Sequence, residues 1–111
     1  MLKLEMKLDI ERIEQAQKYT PQTIQSSVDN AFGKYGFRKE TQSDGTVCYY
    51  GTGAAKDYGI FGRLITTLKD KDWFMPYVAK WLWYNSDDGE DENDFSVEDV
   101  LLHYAGRESA A

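Results

Sequence analysis

The sequence predicts a single α+β domain, with a β-hairpin at about 37–50 and about four helices packed around it. A chain of 111 residues has the length of one domain. With 41% hydrophobic and 29% charged residues and only 2 prolines, the composition is that of a globular protein rather than a disordered one. The hairpin prediction rests on Asp44-Gly45, a turn dipeptide between two β-favouring runs, which predicts that 37–41 pairs with 46–50.

The N-terminal segment alternates apolar and polar residues over 2–8, which is typical of a half-buried strand. The leucine, lysine, glutamate and methionine residues of this segment also favour helix, so one continuous helix over 2–18 is an equal alternative. In the strand interpretation, Asp9 caps a separate helix over about 10–18.

The next helix has clear signals at both ends. Thr20 is a good N-cap, and Pro21 suits the first helical position. Apolar residues recur at helical spacing as far as Tyr35, and Gly36 suits a position with positive φ just beyond the end. We therefore expect a helix from Pro21 to about Tyr35.

Three further helices are expected in the second half of the chain. One begins near Asp57 and runs to about 68. A second covers 73–84, whose apolar and aromatic residues other than Trp83 project onto an arc of about 200°. A third follows Ser96–Asp99, which fits a capping box, and the residues over 107–111 are expected to fray. The predicted core consists of Ile24, Val28, Phe32, Val47, Tyr49, Phe61, Leu64, Ile65, Phe74, Val78, Trp81, Leu82, Val100 and Leu101.

Acidic residues concentrate in one segment. Eight of the 19 acidic residues lie within 87–99, which has no basic residue, and 11 acidic and 13 basic residues remain elsewhere. The sequence thus predicts a nearly balanced body with one acidic loop at 87–95. Such a run is most often a solvated loop, and its alternative role is to dock a basic partner. The spacing does not fit an EF-hand, because placing Gly89 at loop position six puts Phe95 where the final glutamate belongs.

Trp83 is the aromatic residue that differs from the rest of the predicted helix 73–84. On the helical projection it lies on the polar side, away from the other rings. An exposed tryptophan beside an acidic run has the composition of a binding hot spot, and coverage by the loop or by the last helix is the alternative. The favoured function is a non-enzymatic accessory factor that binds a basic protein partner. The residues assigned to this docking surface are Trp83, Asp87, Asp88, Glu90, Asp91 and Glu92.

A nucleic-acid-binding module is the alternative function. Such a module needs a basic and aromatic surface, because cations contact phosphates and rings stack on bases. The formal net charge of −6 opposes this function, while the balanced body outside the acidic segment keeps it open. The surface would lie around the hairpin and consist of Arg38, Lys39, Tyr50, Lys56 and Arg63.

No set of residues in the sequence predicts catalysis, a cofactor or a metal site. His103 is the single histidine and Cys48 the single cysteine, and no spacing places them together. The glycine-rich run 51–56 lies between a predicted strand and a helix, where phosphate loops occur. It has Lys56 where the dinucleotide fingerprint has its third glycine, so a plain connection is the favoured interpretation.

Three stretches resemble segments of a family of small bacterial proteins. They are SVDNAFGKYGF at 27–37, DGTVCYYGTG at 44–53 and WLWYNSD at 81–87. The family consists of accessory proteins encoded on conjugative or integrative elements of gut Firmicutes, and it has no assigned activity. The resemblance implies a cytosolic bacterial accessory protein. It favours a role in evading host defence or in binding transfer machinery over a metabolic one.

Localisation follows from what the sequence lacks. It has no apolar run long enough to span a membrane, and residues 1–7 lack the apolar region of a signal peptide. A single cysteine cannot form an internal disulfide. We therefore expect a cytoplasmic protein that does not bind membranes.

Overall fold

The computed structural model describes residues 1–86 and 95–110. Its elements follow one another as β1 Leu2–Leu8, α1 Ile10–Ala16, α2 Pro21–Gly33, β2 Arg38–Thr41, β3 Val47–Tyr50, α3 Asp57–Leu68, a 3-10 turn Met75–Tyr77, β4 Val78–Asn85, β5 Ser96–Asp99 and α4 Val100–Ala105. Together they form an α+β domain, as the sequence predicts. None of the helices within the described ranges is long and apolar enough to cross a membrane.

Within the described residues, five strands form one antiparallel sheet in the order β2-β3-β1-β4-β5. The segment 2–8 is therefore a strand, and it is the central one. The predicted hairpin is confirmed, because Arg38 pairs with Tyr50 and Thr41 pairs with Val47. From β1 to β4, with helices after β1 and β3, the connectivity is that of a split β-α-β motif.

The hydrophobic core lies between one face of the sheet and the helices. On this core face, Leu4 and Met6 of β1 are fully buried, and α2 and α3 each contribute a phenylalanine ring. Phe32 stacks on Tyr49 with ring centroids 4.2 Å apart, and Phe61 stacks on Phe37 at the same distance. All predicted core residues are buried except Leu82, which lies beside Glu5 on the opposite, outer face of the sheet.

Local signals position the helices as the sequence predicts. The Asp9 side chain accepts the Arg12 N–H at the start of α1, and the Thr20 hydroxyl accepts the Thr23 N–H at the start of α2. Just beyond α2, Gly36 has a φ of 77°, which glycine adopts without strain.

Residues 73–84 do not form a helix, so that prediction is wrong. After one 3-10 turn that contains Pro76, the chain continues as β4. Trp81 and Trp83 lie opposite Met6 and Leu4 on the core face, so Trp83 is not on a polar side. Tryptophan, tyrosine and valine favour strands, and pairing along the whole length of β1 satisfies the backbone of this segment.

The C-terminal part also differs from the prediction. Ser96–Asp99 is strand β5, and only its last residue acts as a cap, because the Asp99 carboxylate accepts the Leu102 N–H at the start of α4. Residues 107–110, for which the sequence predicts fraying, lie beside β4. The Ser109 hydroxyl accepts the Trp81 N–H at 2.9 Å, and the Ala110 N–H donates to the backbone of β4 at 2.8 Å.

Candidate functional site

A groove of about 210 Å³ lies where α3, β4, β5 and α4 meet. Its lining includes three aromatic side chains, one carboxylate and two apolar side chains, namely Tyr58, Trp83, Tyr104, Glu98, Ile65 and Val100. We call it the aromatic groove. Tyr58 and Tyr104 are large apolar side chains that remain 60% and 43% exposed. Exposed aromatic residues that converge on one concavity are typical of a recognition surface.

Trp83 is held in place from behind and open toward the groove. It is partly buried, and its ring centroid lies 5.0 Å from that of Phe61 in α3. The Tyr58 ring packs against it at 6.2 Å, with an angle of 68° between the ring planes. Partial coverage thus comes from α3, and the indole forms one wall of the groove.

Glu98 supplies the negative charge of the groove. It lies directly opposite Trp83 across the β4–β5 pair, so both side chains lie on the same face of the sheet. The Nδ1 atom of His103 lies 3.9 Å from its carboxylate, and both side chains are more than half exposed. On α4, the Tyr104 ring has the Nζ atom of Lys69 at 5.6 Å from its centroid.

The acidic members of the predicted docking surface lie outside the described residues. They are Asp87, Asp88, Glu90, Asp91 and Glu92. In the sequence they connect β4, which bears Trp83, to β5, which bears Glu98. Of that predicted surface, the structure places only Trp83.

Sequence reasoning missed three members of the aromatic groove. The sequence pattern assigns no function to Tyr58 or Tyr104, and it places Glu98 in a capping box. No local signal indicates that the three side chains meet, because they lie on three separate elements, α3, β5 and α4. Their meeting depends on β4 pairing with β5.

The five residues of the predicted nucleic-acid surface do not share one face. Arg38 and Tyr50 lie together on the outer face, with the guanidinium carbon 4.3 Å from the ring centroid. Lys39 points toward α2 on the other side of the sheet, where its Nζ atom lies 2.7 Å from a carboxylate oxygen of Asp29. Lys56 and Arg63 are exposed at the start and in the middle of α3.

The outer face carries a row of alternating cations and rings. Register places Arg38, Tyr50, Lys3 and Tyr84 side by side across four strands. The Lys3 ammonium lies 4.5 Å from the Tyr84 ring centroid. This row contains the two hairpin residues Arg38 and Tyr50 that the sequence analysis selected.

Carboxylates compensate the cations of this row. The Glu5 carboxylate lies 3.7 Å from the Lys3 ammonium and 3.5 Å from that of Lys80. Arg38 pairs with Glu40 at 2.6 Å. The outer face therefore offers little uncompensated positive charge to a polyanion.

The glycine-rich loop before α3 binds a carboxylate of its own chain. The Asp57 side chain, which is 3% exposed, accepts the N–H groups of Thr52 at 2.7 Å and Gly53 at 2.9 Å. A Cβ atom on Gly51 would lie 2.9 Å from the same oxygen, so the close approach needs glycine. The N–H groups that a phosphate would need are thus already engaged, and the loop is a connection.

The two nucleophilic or basic candidates lie apart. Burial, and then the neighbouring Glu5 carboxylate, raise the pKa of the Cys48 thiol to about 11, so it is protonated at neutral pH. His103 is exposed on α4. Within residues 1–86 and 95–110, no group of three or more histidine, cysteine, aspartate or glutamate side chains could hold a metal ion.

Comparisons with protein-family models, with curated proteins and with solved structures find no match to this chain.

Proposed function

We propose that the protein is a non-enzymatic, cytoplasmic accessory factor that docks a basic protein partner in the aromatic groove. The observation that carries this proposal is the convergence of Tyr58, Trp83 and Tyr104 on one concavity beside Glu98. Tyrosine and tryptophan are enriched among residues that dominate binding energies, because they bury large areas with few rotatable bonds. The resemblance to proteins of conjugative elements favours a partner from host defence or transfer machinery.

Charge supports the basic character of the partner. The chain has a formal net charge of −6, and eight of its acidic residues lie within 87–99, the segment that includes Glu98. Complementary charge steers association and raises the on-rate, while buried anchors set the off-rate. The proposed division is therefore that the acidic segment attracts the partner and the aromatic groove retains it.

Tyr58→Ala is the sharpest test of the groove. With 60% of Tyr58 exposed, the substitution leaves the core intact, whereas Trp83 contacts Phe61 and its removal would also disturb packing. Tyr35→Ala is the matched control, because Tyr35 is also a partly exposed tyrosine and is absent from the groove lining.

The measurement has two stages. The wild-type protein captures its partner from a bacterial lysate, and the purified partner is then titrated against each variant by surface plasmon resonance. Tyr58→Ala should dissociate roughly tenfold faster or more, as expected of a hot-spot residue, while Tyr35→Ala should not. Neutralising Asp87, Asp88, Glu90, Asp91 and Glu92 together should slow association and flatten its salt dependence. Equal dissociation rates for the wild type and Tyr58→Ala would refute the proposal.

Nucleic-acid binding is the second candidate, and the rings of the outer-face row favour it because they could stack on bases, although the cations of the row are paired with carboxylates. Arg38 over Tyr50 and Lys3 over Tyr84 are the contacts concerned. Fluorescence anisotropy with a single-stranded oligonucleotide at two salt concentrations tests it, and Arg38→Ala should weaken binding. A dissociation constant weaker than about 100 μM, the weak end of nonspecific binding, would remove this candidate.

A further inference from the structure

We propose that the aromatic groove takes the ammonium group of a lysine side chain of the partner. This inference rests on the proposed function and names the chemistry of the anchor. Its starting point is the composition of the walls, since Tyr58, Trp83, Tyr104 and Glu98 together provide three rings and a carboxylate. The faces of aromatic rings attract cations, and enclosing a cation with several rings is the recurrent means of binding alkylammonium groups.

The carboxylate distinguishes this groove from an apolar pocket. Within the part of the chain that the structure describes, His103 is the only ion-pair partner of Glu98, and at 3.9 Å its Nδ1 atom lies beyond hydrogen-bond distance of the carboxylate. An apolar anchor would remove water from Glu98 without replacing its interactions, which is unfavourable. An ammonium would supply a positive charge and hydrogen-bond donors in place of that water.

The geometry favours lysine over arginine. The planes of Tyr58 and Trp83 meet at 68°, with centroids 6.2 Å apart. The two rings therefore contact each other edge to face and form one wall of the groove. A flat guanidinium needs a whole open ring face on which to stack, whereas a compact ammonium needs only part of one. Ile65 and Val100 also line the groove, and they offer an apolar surface to the four methylene groups of a lysine stem.

One ring of the groove already contacts a cation of its own chain. The Lys69 ammonium lies 5.6 Å from the Tyr104 ring centroid and 3.0 Å from the Asp70 carboxylate. Lys69 is absent from the residues that line the groove, so it does not fill it.

The test compares two small probes that differ in charge. Nα-acetyl-lysine amide and its uncharged analogue Nα-acetyl-norleucine amide are titrated into the whole protein at constant ionic strength. Binding is followed by NMR through the indole N–H signal of Trp83, which is assigned by its loss in Trp83→Phe. The lysine probe should bind about 2- to 30-fold more tightly than the norleucine probe, the range expected from cation–π contacts.

Variants distinguish a cation site from nonspecific binding of the probes. Tyr58→Leu and Glu98→Gln should bring the ratio of the two affinities close to one, whereas Tyr58→Phe and the distant control Tyr35→Leu should preserve it. Equal or tighter binding of norleucine, or preferred binding of an acetyl-arginine amide probe, would overturn the inference.

The outcomes also separate this inference from the proposed function. If Tyr58→Ala accelerates dissociation of the partner but the lysine probe shows no preference, the docking surface stands and the lysine anchor is wrong. If the lysine preference is observed and Tyr58→Ala leaves dissociation of the captured protein unchanged, the cation site stands and the docking function is wrong.

Discussion

Replacing Trp81 should remove a large part of the protein's free energy of unfolding, and the size of the loss depends on the residue that replaces it. Trp81 is the largest fully buried side chain, and its ring packs edge-on against Phe74 at 5.1 Å. Its indole Nε1–H is buried and has no acceptor among the residues that the structure describes. Trp81 therefore contributes packing that alanine cannot replace, together with a polar group that is itself unfavourable.

These two features give different magnitudes for two substitutions. Trp81→Ala empties a large aromatic site and should lower the free energy of unfolding by about 3–5 kcal/mol. A domain of this size has about 5–15 kcal/mol in total, so this loss is a large share. Trp81→Phe keeps one ring and removes the unpaired N–H, whose burial costs about 1–3 kcal/mol. Removing this cost offsets part of the destabilisation caused by the smaller cavity. Trp81→Phe should therefore lower the free energy of unfolding by less than half as much as Trp81→Ala.

Urea unfolding followed by far-ultraviolet circular dichroism measures both losses without relying on tryptophan fluorescence. With a slope of about 1–3 kcal/mol per molar, the Trp81→Ala midpoint should fall by about 2 M, with the slope unchanged. Trp73→Ala is the matched control, because Trp73 is only partly buried. Equal midpoints for Trp81→Ala and Trp73→Ala would refute the core assignment. A Trp81→Phe loss as large as that of Trp81→Ala would refute the argument from the unpaired indole.

Two further predictions concern titratable groups. Burial alone would raise the pKa of Asp29, but hydrogen bonds from Lys39, Tyr49 and Gln25 outweigh it and hold the pKa below its ordinary value. The stabilisation is therefore fully present above the ordinary carboxyl pKa and is lost as the pH falls through the lowered one. The destabilisation caused by Asp29→Asn should accordingly shrink between pH 6 and pH 3 in urea melts, and a constant difference would contradict this. The raised pKa of Cys48 predicts that a thiol reagent at pH 8 labels the native protein at least about a hundredfold more slowly than the urea-unfolded chain. Similar labelling rates would show that the thiol is accessible.

The features that the sequence predicts well are those with a local physical cause. Asp44-Gly45 closes the hairpin because glycine takes the positive φ that the turn needs, and Gly45 has a φ of 90°. Asp9 and Thr20 cap their helices through side-chain oxygens that reach an N–H three residues on. Each of these features is decided within a few residues, so no knowledge of the tertiary structure is needed.

The glycine-rich loop shows where local patterns become ambiguous. Glycines between a strand and a helix expose backbone N–H groups that suit any anion, whether a ligand phosphate or a side-chain carboxylate. Here Asp57 fills that position from within the chain. A carboxylate four or five residues after the loop N–H groups is the feature that distinguishes a closed loop from a phosphate site.

The aromatic groove could not be assembled from the sequence, because its members belong to segments that only the sheet brings together. Tyr58 is on α3, Trp83 is on β4, and Glu98 reaches Trp83 only because β5 pairs antiparallel with β4. A helix over 73–84 would place Trp83 away from the other rings. It would also remove strand β4, whose pairing with β5 brings Glu98 opposite Trp83. A wide aromatic arc at helical spacing did not exclude a strand, since alternation along β4 places Trp81 and Trp83 on the core face equally well. The long-range pairing of β4 with β1 decides between helix and strand for this segment, and with it whether the aromatic groove forms.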